Sequence, residues 1–108
     1  MPWNASHAAA MRAALGAEPF TEKRMFGGLC LMACGHMVAG LHKGGSFFRV
    51  GPEAMATALA LPGTHPAIMG QRAMRGYVET PGAAADDDAL RDRLMAMALA
   101  FVKTLPPK

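Results

Sequence analysis

The chain has 108 residues, 52% of them apolar and 18% charged, with a net charge of +3 at pH 7. That length and balance describe one globular domain and exclude a disordered chain. Two cysteines exclude a disulfide scaffold, and no apolar run approaches the ~20 residues that a membrane-spanning helix needs.

The opening Met1-Pro2-Trp3-Asn4 has no charged leader or long apolar run, so the cytoplasm is the expected compartment. A helix is expected over residues 4–17. Asn4 or Ser6 can cap it, Met11 and Leu15 share a face, and Gly16 and Pro19 end it. From Thr21 to Val50 the pattern becomes that of strands. Met25 and Phe26 lead into Gly27-Gly28, followed by a first strand, Leu29-Cys30-Leu31-Met32. Cys34-Gly35 reads as a turn, Met37 to Leu41 as a second strand, Gly44-Gly45 as a second turn, and Ser46 to Val50 as a third strand. Two tight turns in succession make an antiparallel meander.

Gly51-Pro52-Glu53 opens a short helix with Met55 and Leu59 on one face, stopped by Leu61-Pro62-Gly63. Residues 66–79 read as a strand pair turning at Gly70-Gln71. In the second of these strands Met74, Gly76 and Val78 face one way, and Arg75, Tyr77 and Glu79 the other. A last helix is expected from about Asp88 to Thr104, its inner stripe formed by Leu90, Leu94, Met97, Phe101 and Leu105. The fold class is therefore α+β. It is a two-layer sandwich with an antiparallel sheet of about five strands, built as a single domain over 1–108.

A sheet covered on one side needs only one apolar face. The first strand offers Leu29 and Leu31 to one face and Cys30 and Met32 to the other, so a homodimer is one expectation. The ten methionines suit an irregular core or an adaptable binding surface.

No constellation carries recognisable chemistry. Gly27-Gly28 lacks the spacing and context of a phosphate loop and reads as a bulge or close backbone approach. Gly35 and Gly40 have the offset of a Walker loop, but Leu41-His42 stand where Lys and Ser/Thr belong. Cys30, Cys34, His36 and His42 are the only soft-ligand cluster, and an extended segment holds the two thiols too far apart for one metal or a disulfide. His42 and Ser46 lack a third catalytic partner. Asp86-Asp87-Asp88 precedes the last helix and suits capping. No catalytic residue, metal or cofactor is expected. Residues 20–78 are basic, with Lys23, Arg24, Lys43, Arg49, Arg72 and Arg75 against Glu22 and Glu53. If Arg24 and Arg49 fall on strands adjacent to Arg75, they form with Tyr77 a face for an anion or a partner. The aromatics and basic stripe are too sparse to favour nucleic acid.

Three segments in order carry a resemblance. They are Arg24-Met25-Phe26-Gly27-Gly28-Leu29 with Gly35-His36-Met37, then Phe48-Arg49-Val50-Gly51-Pro52-Glu53, then Met74-Arg75-Gly76-Tyr77-Val78. Over roughly residues 7 to 105 the chain resembles the TfoX/Sxy family, specifically the TfoX N-terminal domain, whose most distinctive element is the Met25–Gly28 segment. The resemblance implies a fold of helix, three strands, helix, two strands, helix. Longer members regulate natural competence and carry a helical C-terminal domain, so the sequence is expected to be a short stand-alone member. The resemblance brings no catalytic residues. It implies a non-enzymatic regulatory or protein-interaction module with a protein partner. A small-ligand or anion-binding protein, or a small enzyme, using the Arg/Tyr face is the alternative.

Overall fold

A computed structural model describes residues 3–25, 27–69 and 71–106. Phe26 of the Met25–Gly28 segment and Gly70 of the expected turn lie outside the described residues.

Helix α1 covers Ala5–Ala14. The Asn4 side-chain oxygen accepts the N–H groups of Ser6 and His7 at 2.8 and 3.1 Å, satisfying two donors that the first turn leaves free. The chain then turns at Gly16, whose φ of 62° suits a residue without Cβ.

Six strands follow: β1 Thr21–Met25, β2 Gly28–Ala33, β3 His36–His42, β4 Gly45–Arg49, β5 His65–Met69 and β6 Arg72–Pro81. They form one antiparallel sheet in the order β1-β2-β3-β4-β6-β5. The sheet thus has one strand more than the five expected. The addition is β1, which pairs Glu22 with Leu31 and Arg24 with Leu29. Its Thr-Glu-Lys-Arg run is exposed along an edge, so it lacks the apolar alternation that marks a half-buried strand.

The Cys34-Gly35 turn falls where expected, whereas the next turn is shifted by one residue. Gly27 lies in the connection between β1 and β2 with φ of 72°, while Gly28 is the first residue of β2. Gly28 is a close approach, because a Cβ there would collide with the Leu41 carbonyl. Cys34 and Gly35, both with positive φ, join β2 to β3. Lys43-Gly44 joins β3 to β4, since His42 pairs with Gly45. A bulge in the β2–β3 ladder lets Val38 and Ala39 both join the core.

Between β4 and β5 the chain makes a 3₁₀ turn at Pro52–Ala54 and the short helix α2, Met55–Leu59. Helix α3 covers Asp88–Val102, and the Asp87 carboxylate caps it by accepting the Leu90 N–H at 3.0 Å. The residues α3 buries are Leu90, Arg91, Leu94, Met95, Ala98 and Val102. The expected stripe is therefore rotated, and Met97 and Phe101 flank the core instead of filling it. Arg91 can be buried because its guanidinium donates to Asp88 at 2.6 Å and to the Ala85 carbonyl at 2.8 Å.

Helices α1 and α3 cover one face of the sheet. Met11, Leu31, Leu41, Phe48, Val78, Leu94 and Met95 meet there with essentially no exposed surface. Each such side chain contributes about 1.5–3 kcal/mol on burial. The exposed Arg12–Glu22 and Lys103–Glu18 pairs contribute about 0–1 kcal/mol each. The interlayer core therefore dominates the stability.

Candidate functional site

The face turned away from the helices is built by the strand period. Along β4, Ser46 and Phe48 point inward, so Phe47 and Arg49 point outward; along β6, Val78 and Thr80 point inward and Tyr77 and Glu79 outward. The outward register runs across the sheet from Lys23 through Cys30, Gly40, Phe47 and Glu79 to His65.

This face is not a flat polar surface. Met25 of β1, Met37 of β3, Phe47 of β4, Ala67 and Ile68 of β5 and Met74 of β6 line one mainly apolar cleft. Both edge strands contribute to it, so the sheet curls around its outward side. Cys30 and Ala67 are 1% and 5% exposed, yet neither belongs to the interlayer core, so the curl shelters them. Ile68 is 59% exposed at the rim. The cleft encloses about 70 Å³, against the roughly 300–1,000 Å³ of pockets for drug-sized ligands.

Two groups close the floor of the cleft. The Phe47 ring lies over Gly40 and stacks on His42 at 5.9 Å between centroids. His42 Nδ1 accepts the Gly44 N–H at 2.9 Å, which leaves Nε2 to carry the proton of the neutral ring. That nitrogen stands 3.4 Å from the Glu79 carboxylate. Burial pushes the Cys30 thiol above its ordinary pKa, which makes it a poor nucleophile.

The basic candidates are only partly brought together. Arg49 and Tyr77 are directly paired across β4 and β6. The Arg49 guanidinium carbon is 5.8 Å from the Tyr77 ring centroid and 5.5 Å from that of Phe101 on α3, so two rings hold it. Arg75 is exposed two residues from Tyr77, with Gly76 at φ of 87° between them. Arg24 is not adjacent to either. It lies on β1, separated from β4 by two strands, and its guanidinium sits 5.4 Å from the Trp3 ring.

The remaining candidates fall apart spatially or are already occupied. Ser46 points into the core while His42 points outward, so they form no pair. The Ser46 hydroxyl and that of Thr64 are buried without a hydrogen-bond partner among the described residues. His36 Nε2 contacts the Pro106 carbonyl at 2.6 Å and ties the C-terminal segment to β3. Asp86 contacts His7 at 2.7 Å, Asp87 caps α3, and Asp88 pairs with Arg91. Among the described residues no three His, Cys, Asp or Glu side chains converge as a metal site. No helix in them is long and apolar enough to cross a membrane.

Phe47, Ile68, Met74 and Phe101 were not singled out from the sequence as site residues. The available signal was the alternation that turns Met25, Met37 and Phe47 outward, but it is legible only once the register is known.

The family model described as TfoX N-terminal domain matches residues 13–102. Comparison with curated proteins and with solved structures gave no match.

Proposed function

The chain belongs to the TfoX N-terminal domain family, and from that premise we propose that it is a non-enzymatic regulatory module that works by binding another protein. The observation that carries this reading is the outward face of the sheet. Exposed Ile68 and the methionines Met25, Met37 and Met74 surround a cleft too small for a typical ligand. Flexible thioether side chains adapt to a partner's shape, and a rim of this kind is a common feature of promiscuous binding surfaces. Arg49 and Tyr77, which an enzyme on this face would use, lie against each other and do not line that cleft.

The test compares wild type with Ile68→Asp and Met74→Asp, each verified as folded by circular dichroism. A partner captured from the native cytoplasm is identified, purified and titrated. The reading expects stoichiometric binding to wild type, loss of at least about tenfold with either variant, and no loss with Arg93→Asp on the helical face. Equal binding by all four chains rejects it. Light scattering of the purified chain tests a second copy as the occupant; a dimer that Ile68→Asp dissociates would identify the partner as the chain itself.

A further inference from the structure

Charge is distributed unequally between the two layers. On the helical side Arg12, Arg91 and Lys103 each hold an acidic partner, Glu22, Asp88 and Glu18, while Arg93 holds none among the described residues. On the strands, Lys23, Arg24, Arg49, Arg72 and Arg75 hold none among the described residues. The acids that share the strands are engaged elsewhere, Glu22 by Arg12 and Glu79 beside His42.

Arg49 differs from the other four. It is half-buried, and the Tyr77 and Phe101 rings hold its guanidinium in place. A stacked guanidinium keeps its in-plane N–H donors free, and much of its side-chain entropy is lost before any ligand arrives. It also lies on the same face as Phe47, two residues along β4 or about 7 Å by strand geometry. Neither Arg49 nor Tyr77 lines the apolar cleft, and Phe101 belongs to the helical layer, so the fixed cation stands beside the cleft and not in it.

We propose that Arg49 is the polar anchor of the binding face, accepting a carboxylate from an acidic and apolar segment of the partner protein. The proposal rests on the protein-binding reading above and adds the partner's chemistry to it. An Arg–carboxylate contact fits the planar fork and is bidentate where both oxygens can reach. Single-stranded nucleic acid is less well suited, because it needs several free aromatic faces for its bases, and each ring beside Arg49 already has one face against the guanidinium.

The test uses three probes on the folded full chain: a short blocked peptide of alternating Leu and Glu, the same peptide with Gln for Glu, and oligo-thymidine. Binding is read by calorimetry, and Arg49 by its side-chain Nε–H resonance. The proposal expects the Glu peptide to bind at least about tenfold tighter than the Gln peptide. It also expects the Arg49 resonance to move on saturation and Arg49→Gln to erase the difference between the peptides. Arg49→Lys, which keeps the charge but loses the fork, should recover only part of it.

Equal affinity for the two peptides, unaffected by Arg49→Gln, overturns the anchor. If Ile68→Asp still abolishes that binding, the protein-binding reading survives without it. Binding of neither peptide also overturns the anchor. Tighter binding of oligo-thymidine with a steep salt dependence overturns it in favour of a nucleic-acid partner.

Discussion

The ring of Phe47 lies flat across the backbone of Gly40, its strand partner on β3. A Cβ at Gly40 would stand 2.8 Å from Phe47 Cε2 and 2.6 Å from the Leu29 carbonyl oxygen. One neighbour is a side chain that can rotate, but the other is backbone in the adjacent strand. Gly40→Ala should therefore cost about 1–3 kcal/mol in chemical denaturation, as overpacking does. It should also displace Phe47 from His42, visible as a change in the His42 ring proton shifts.

Arg12 and Glu22 link α1 to the edge strand β1, with Nε and Nη2 donating to the two carboxylate oxygens at 2.5 and 3.0 Å. The guanidinium hydrogen bond holds the Glu22 carboxyl below its ordinary pKa. A folded pKa below the unfolded one means stabilisation that is present at neutral pH and lost as pH falls through the folded value. The two side chains are 43% and 32% exposed, so the contribution is about 1 kcal/mol or less. Glu22→Gln should destabilise by that amount at pH 7 and by progressively less as pH drops below the usual carboxylate range, measured by urea denaturation.

The two thiols should separate kinetically. Cys34 is exposed at the β2–β3 turn, whereas Cys30 is buried and its pKa is raised by burial. A disulfide reagent should titrate one thiol rapidly in the native protein and the second only after denaturant is added. Two rapid equivalents would show that the outward face does not shelter Cys30.

Asn4 caps α1 through two side-chain hydrogen bonds. Asn4→Ala should cost about 1 kcal/mol, and Asn4→Gly only a few tenths. Amide exchange should localise the loss to the N–H groups of Ser6 and His7.

Much of this architecture is legible in the residues because local chemistry and tertiary structure agree. Asn4 caps where a cap is needed, Gly51-Pro52-Glu53 opens a 3₁₀ turn and helix, and Asp87 begins α3. Where they diverge, long-range pairing decides. Thr21–Met25 is a strand of its own because β2 supplies a ladder, and its charged residues lack the apolar alternation that would set it apart. The α3 face is turned so that Met95 and Ala98, not Met97 and Phe101, meet the sheet. No helical period identifies that rotation, because Ala and Met occupy both sides. The candidate site was legible only in part. Arg75 and Tyr77 were readable as sharing one side of their strand, but that Arg49 pairs with Tyr77 needed the register, Arg24 belongs to a distant strand, and Phe101 reaches Arg49 only through the packing of α3.

The strand order has a consequence for synthesis. β6 is made after β5 yet sits inside it, between β5 and β4. In a chain that has emerged only as far as β5, β4 lacks its β6 partner, and Phe47 and Arg49 stand beside unpaired backbone. Only when residues 72–81 arrive does the last hairpin close that edge. Shortening the chain from its C-terminal end past Pro81 should therefore yield a sticky fragment prone to edge-to-edge association, not a smaller version of the domain.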